Sequence, residues 1–399
     1  MKEGWEIKTL GEVCKVVGGG TPSKNRLEFY GGTINWASVR DLNSETLLTT
    51  EHTITTLGLQ NSSTNLIAKN NVIFASRVGL GKVCMTKIDV AINQDLRAPI
   101  PKNPNQLDVV YLFRWFQNRR DIIIKAGQGA TVQGITLPFI NNLPIPIPPL
   151  SEQQRIVSII DEAFEAIDKA IENTQKNLQN AKELFESYLN NVFEKGGEGW
   201  EENNLDATCV KFDDGNWIES KDQSKEGIRL IQTGNIGLGK FIDKQDKARY
   251  ISEETFKRLK CTEIYPGDIL ISRLPDPVGK ACQIPLSIKE RMITGVDCTI
   301  VRLKPSIITD YLLYFQLSKL YLNQVKKLVS GTTRDRISRK NLGIIKVPIA
   351  PYSVQQKLIK ELDVLNGETE FLQSQYQQKL RDLEELKKSV LNKAFAGEL

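Results

Sequence analysis

The sequence predicts an α+β chain of two similar globular α/β domains separated by two long helices. Those helices are expected to form an intramolecular antiparallel coiled coil with a pseudo-two-fold internal repeat. Three observations predict this. The chain copies itself after about 200 residues. Each copy passes from short β-rich segments into one long heptad-patterned stretch. Each stretch follows prolines and opens on Ser-x-Gln-Gln, at Ser151–Gln154 and Ser353–Gln356. The expected boundaries are 1–150 and 196–352 for the domains, and 151–195 and 353–399 for the helices. A length of 399 residues suits such a division better than a single core.

The repeat can be followed in order. Trp5 to Cys14 pairs with Trp200 to Cys209, matching Trp, Glu, Leu and Cys in register. Val72 to Arg77 pairs with Asp268 to Arg273, bringing Ser76-Arg77 opposite Ser272-Arg273. Gly81-Lys82 and Cys84 answer Gly279-Lys280 and Cys282, and Tyr111-Leu112 answers Tyr311-Leu312. Gly129 to Thr136 answers Gly331 to Ser338, and the Ser-x-Gln-Gln strings close each copy. The offset drifts only from 195 to 202 residues, so small loop insertions account for it.

Strand-like segments at Ile34 to Trp36, Val72 to Ser76, Ile228 to Gln232 and Asp268 to Ser272 are broken by Gly, Asn and Pro. Short amphipathic helices are expected near Val109–Asn118 and Asp310–Val329. Pro148-Pro149 stops the extended chain, and Ser151 with Gln154 reads as a capping box; Ser353 with Gln356 repeats it. The first long helix carries a seam of Ile156, Ile160, Ala163, Ile167, Ala170, Thr174, Leu178, Ala181, Phe185, Tyr188 and Val192. The second carries Leu358, Leu362, Leu365, Thr369, Leu372, Tyr376, Lys379, Leu383, Leu386, Val390 and Ala394, with Lys379 breaking it and Leu380 alongside. Each helix should be roughly 65 Å long at 1.5 Å per residue.

Composition narrows the function. His52 is the one histidine, which removes His-based triads and His-rich metal sites. The six cysteines contain no C-x-x-C and read as buried, reduced thiols. The polar start and the lack of a long apolar run point to a cytoplasmic protein with no membrane partner. Gly234 to Lys240 begins like a phosphate loop, but Phe241 stands where a Ser or Thr must hold Mg²⁺. The adenine-methyltransferase string N-P-P-[YF] and a complete G-x-G-x-x-G are absent, and Pro275-Asp276 has no E-x-K partner. The chain is therefore expected to have no catalytic residues, no metal and no cofactor of its own.

What remains is a binding constellation. The net charge is +5, but residues 151–195 and 353–399 are net −4 and −1, leaving +5 on each globular part. Two basic domains on acidic helices suit a DNA binder with two contact points. In the first copy Gly18, Gly19, Gly20, Thr21, Pro22, Ser23 and Lys24 form a turn with amides, hydroxyls and a cation for a phosphate. Arg40, Arg77, Lys82, Arg273 and Lys280 follow strand-like segments, where loops present side chains for recognition. Gln232 and Asn235 can read base edges, as can the cluster Thr333, Arg334 and Arg336. The matching stretch Ala130 to Gly134 carries no charge, so the two copies should read different sequences.

These residues bring a family into view. The opening Trp5…Leu10-Gly11-Glu12, the run Gly18 to Ser23, Ile34-Asn35-Trp36, and Pro146 to Ile156 opening a long helix resemble the specificity subunit of Type I restriction–modification enzymes. The resemblance covers essentially the whole chain. The second copy departs from it at Asp213-Asp214-Gly215-Asn216, where the triple glycine is missing, and at Ile349 to Val354. The resemblance implies a non-catalytic subunit whose two target recognition domains each read half of a bipartite site on double-stranded DNA. The helices would set the spacer and bind two methyltransferase (modification) subunits, which carry S-adenosylmethionine; restriction subunits would add ATP and Mg²⁺. Two other readings stay open: a coiled-coil adaptor whose domains bind protein, and an enzyme with an unrecognised site.

Overall fold

The computed structural model describes residues 4–127, 134–331 and 334–399. Two compact units share these residues: the first takes 1–175 and 378–399, the second 176–377. Each unit therefore contains one globular domain, a segment of the central helix Leu150–Lys195 and a segment of the C-terminal helix Tyr352–Ala396.

In the first unit a five-stranded sheet has the order Cys14–Gly18, Leu96–Pro101, Val72–Ala75, Val83–Thr86, Thr46–Leu47. A four-stranded sheet runs His52–Ile54, Tyr30–Ala37, Val90–Ile92, Asn65–Ile67. The strand Glu6–Thr9 pairs antiparallel with Pro144–Ile147, joining the start of the domain to its end beside the helix. The second unit repeats the plan. Cys209–Asp214, Cys298–Leu303, Ile269–Ser272 and Ala281–Gln283 form one sheet. Arg249–Ile251, Ile228–Ile231 and Met292–Thr294 centre the other, and Glu201–Asn204 pairs with Lys346–Ile349. Val72 to Ala75 and Ile269 to Ser272 are buried throughout, as a central strand covered on both faces must be.

Backbone hydrogen bonds correct one part of the expected alignment. Ser76 N–H donates to Asp95 O and Ile135 N–H to Ser76 O; in the second copy Arg273 N–H donates to Asp297 O and Ile337 N–H to Arg273 O. Ser76 is thus the counterpart of Arg273, one residue away from the identity match of Ser76-Arg77 with Ser272-Arg273. A single-residue slip in extended chain reverses which face a side chain takes. Arg77 is accordingly exposed and Arg273 buried.

The helix entries also differ from expectation. The helices begin at Leu150 and Tyr352, so Ser151 and Ser353 lie inside the first turn rather than capping it. The first glutamine of each pair anchors the domain instead. Gln153 is 0 % exposed; its Oε1 accepts from Asp108 N–H, and its Nε2 donates to Gln106 O and Pro148 O. Gln355 repeats this with Ile308 N–H, Ser306 O and Ala350 O. A second tie recurs eight residues on: Arg114 donates to Asp161, and Tyr314 donates to Asp363.

Every expected seam residue of the central helix is buried or half-buried. The C-terminal seam needs correction. Leu372, Lys379 and Leu386 lie outside, and the inner positions are Gln373, Leu380 and Lys387. Lys387 lays its stem inward, with Nζ 5.0 Å from the Phe164 ring and its ammonium paired to Asp168. In the first unit Ile156, Ile160 and Phe164 share a core with Leu391, Ala394 and Phe395, and Arg155 donates to Leu399 O. In the second, Leu189 and Phe193 share a core with Ile359 and Leu362, and Tyr188 donates to Glu361. The short helix Val109–Asn118 occurs as expected, whereas Asp310–Val329 is two helices divided at Ser318. Five cysteines are buried and Cys209 half-buried, none in a disulfide; burial pushes the Cys84 and Cys282 thiols up to about 12. Among the described residues no helix is long and apolar enough to cross a membrane.

Candidate nucleic-acid interface

The candidate residues of each domain lie on loops that follow its strands, and several of these loops are built alike in the two copies. The strand Cys14–Gly18 leads into Gly19 and Gly20, and Cys209–Asp214 leads into Gly215 and Asn216. A Cβ on Gly19 would lie 2.1 Å from Asn93 O, and one on Gly215 would lie 2.3 Å from Thr294 O. Both glycines exist to let backbone pass over backbone. Gly20 N–H donates to Ile92 O, Asn216 N–H donates to Thr294 O, and Trp36 Nε1 holds Gly20 O. The glycine run is therefore a pinned crossing, which corrects its expected role as a free phosphate turn: the Gly20 amide is already used. Gly215→Ala should cost about 1–3 kcal/mol from overpacking. Gly295→Ala, which meets nothing within 4 Å, should stay within about 0.5 kcal/mol. Urea unfolding of the two variants separates the cases.

Beyond the crossing the copies diverge. Thr21 Oγ1 donates to Gln94 Oε1, while its counterpart Trp217 projects outward, 68 % exposed. Ser23 and Lys24 are exposed on the same loop. Ser38 to Asp41 and Gln232 to Asn235 form matching turns, closed by Asp41 Oδ2 on Ser38 N–H and Asn235 Oδ1 on Gln232 N–H. Asn235 also donates to Ile242 O, so this buried side chain holds its loop together and has no edge left to offer a base. Gln232 is half-buried at the rim of two clefts. Arg40 is exposed; the register puts Gly234 in its place.

The basic residues sort as follows. Arg77, with a side chain 52 % exposed, stands 3.8 Å from Asp95, and Arg336, 47 % exposed, stands 3.1 Å from Asp297. Asp95 and Asp297 are equivalent by their backbone bonds, so two different segments deliver an arginine to one position. Arg334 is exposed beside Arg336. Lys82 reaches Val39 O, next to the Ser38 turn, whereas its counterpart Lys280 folds back on Asp276 O. Arg273 corrects the expectation most clearly: it is 4 % exposed, donates to Val296 O and lies 3.4 Å from Asp214. Burial lowers its pKa, an inward position that a groove-reading side chain does not have. Thr333 lies outside the described residues. Sequence reasoning missed Trp217, Asp95, Asp297 and the cations Lys244, Lys247 and Arg249. An aromatic alone in the polar stretch Asp213–Asp222 was the available signal. Among the described residues no cluster of His, Cys, Asp and Glu is arranged to hold a metal ion.

Two copies of one α/β domain, each ending in a long helix and each offering different side chains on its loops, define a two-module recognition chain. The chain belongs to the family described as the Type I restriction modification DNA specificity domain, whose model matches residues 2–180 and 197–381. The EcoR124I/EcoR124II specificity subunit of Escherichia coli is 34% identical over 195 residues, 47% of this chain and 48% of that protein. The MjaIX specificity subunit of Methanocaldococcus jannaschii is 22% identical over 423 residues, 99% of this chain and 93% of that protein. Among solved structures, one described as "Structural basis underlying complex assembly and conformational transition of the type I R-M system" aligns with TM-score 0.77. It is 21% identical and covers 100% of this chain and 99% of the other. The HsdS subunit from Thermoanaerobacter tengcongensis aligns with TM-score 0.65 at 21% identity, covering 100% and 98%. The family match disfavours the protein-binding adaptor reading.

Proposed function

We propose that the chain is the DNA sequence-specificity subunit of a Type I restriction–modification system. Residues 1–150 and 196–352 are its target recognition domains, each reading half of a bipartite, asymmetric site on double-stranded DNA. The observation that carries this is the pair of equivalent loop sets in a chain with two DNA specificity domains: one copy offers Thr21 and Arg77, the other Trp217 and Arg336. Equal frames with unequal side chains are what an asymmetric site requires. Lys24, Ser23, Arg40, Arg77 and Lys82 contact the first half-site, and Gln232, Arg334 and Arg336 the second. Lys280 reaches phosphate only by leaving Asp276 O. Gly19, Gly20, Asn235 and Arg273 position loops.

The two long helices pair as an antiparallel coiled coil and dock two methyltransferase subunits. Those subunits bind S-adenosylmethionine and methylate adenine; restriction subunits with ATP and Mg²⁺ complete the system. This chain supplies no catalytic group, and its working place is the cytoplasm.

The test is a methylation profile over randomised half-sites, with the chain assembled with its modification subunits. The chain alone should show no methyltransferase, nuclease or ATPase activity. Arg77→Ala should loosen choice in one half-site and Arg336→Ala in the other, each by about 1–3 kcal/mol at one position. Robust methylation by the purified chain alone, or an Arg77 variant that alters the half-site of the second domain, would overturn the reading.

A further inference from the structure

The inference rests on the DNA reading above and assigns how the second half-site is gripped. We propose that residues 213–249 form a two-part DNA-binding cleft. Trp217 lays an apolar face along sugar and base edges, while Lys244, Lys247 and Arg249 seat backbone phosphates. Gln232 and Thr233 make the ridge between the two parts.

Two adjoining clefts carry this. One, about 180 Å³, runs between Trp217, Gln232 and the segment Gly295 to Asp297. The other, about 280 Å³, is lined by Lys244, Lys247 and Arg249 together with Gly234. Gln232 and Thr233 border both.

Trp217 is exposed by construction. Of the five tryptophans, Trp5, Trp36 and Trp115 are buried and Trp200 half-buried. On either side of Trp217 the chain is fastened. Asn216 bridges to Gly295 and accepts from Thr262 N–H, and Ile218 packs on the core of Ile228, Leu230 and Ile251. The indole makes one side-chain hydrogen bond, Nε1 to Glu219 Oε1 at 3.2 Å. A large aromatic held outward on a fixed backbone loses little entropy on binding, which is why tryptophan is enriched at binding hot spots.

The cations of the second cleft are equally available. Lys244, Lys247 and Arg249 are exposed, and among the described residues none makes an ion pair. Asp243 and Glu290 both hold Arg229, which is buried, and the exposed Asp246 between the two lysines leaves the segment 244–249 net positive by two. A Cβ on Gly234 would come within 3.2 Å of Lys244 Nζ, so the glycine leaves the ammonium room over the backbone. The first domain differs at the equivalent positions. Strand register puts His52 opposite Trp36 where Arg249 stands opposite Leu230, and Thr21 takes the place of Trp217. These three cations therefore add phosphate contacts to the second half-site that the first domain does not make at the equivalent place.

Binding of a duplex carrying both half-sites to the assembled complex, measured against salt, tests this. Replacing Lys244, Lys247 and Arg249 together by glutamine should lower the slope of log affinity on log salt by about three, with sequence preference kept. Trp217→Ala should weaken binding about thirtyfold, and Trp217→Phe should recover most of it. Because these side chains are exposed, folding and subunit assembly should be unchanged. The inference is overturned if both variants bind as wild type does while specific binding persists, a result that leaves the DNA reading intact. It is also overturned if Trp217→Ala impairs subunit assembly and not DNA binding, since the face is then a protein contact. Absence of salt-dependent DNA binding by the wild-type complex would instead defeat the DNA reading itself.

Discussion

Replacing Gln153 or Gln355 by alanine is expected to cost about 3 kcal/mol in the unit that contains it. Each side chain fills three hydrogen-bonding roles at full burial: it accepts one loop amide and donates to two carbonyls. Truncation leaves those groups enclosed without partners, and each orphan costs about 1–3 kcal/mol, partly relieved by water. The neighbouring Gln154 and Gln356 are exposed, and their alanine variants should stay within about 0.5 kcal/mol. Because the chain has two compact units, the readout is local: amide exchange at Asp108 for the Gln153 variant and at Ile308 for the Gln355 variant. Equal effects from both glutamines of a pair would show that the contact belongs to the helix rather than to the domain.

Adding one heptad to each long helix, at positions that keep the seam in phase, is expected to change the DNA spacer and leave both half-site sequences alone. Seven residues lengthen a helix by about 10 Å, close to three base pairs. Methylation of the original site should fall on the order of hundredfold, because a misplaced domain forfeits the contacts of its half-site. Activity should return on substrates with about three more base pairs in the spacer. A variant that folds, assembles and still prefers the original spacing would dismiss the helices as a ruler.

Much of the molecule was legible without coordinates. The repeat, the two long helices to within a few residues, the helix Val109–Asn118 and the seam of the central helix all follow local rules of period and punctuation. The C-terminal seam was read through Leu372 and Leu386 because apolar residues normally face inward. The observed seam admits Gln373 and Lys387, whose long side chains can bury a stem and still satisfy a polar tip. The Ser-x-x-Gln cap was a sound local inference, but tertiary hydrogen bonding used the glutamine next to it.

The candidate interface was the least legible part, and the reason is geometric. Residue type and strand endings picked out Arg77 and Arg273 alike, and charge density picked out Arg336, yet one position of slip in an extended segment turned Arg273 into the core. The sequence by itself determined that this chain carries one α/β plan twice, each copy closed by a long helix, because those features arise from neighbours along the chain. Only the tertiary structure decided that Arg77 and Arg336 stand at one equivalent place, on Asp95 and Asp297. It alone decided that Trp217 takes the place of Thr21, because these equivalences are made by backbone hydrogen bonds between segments 19 to 78 residues apart.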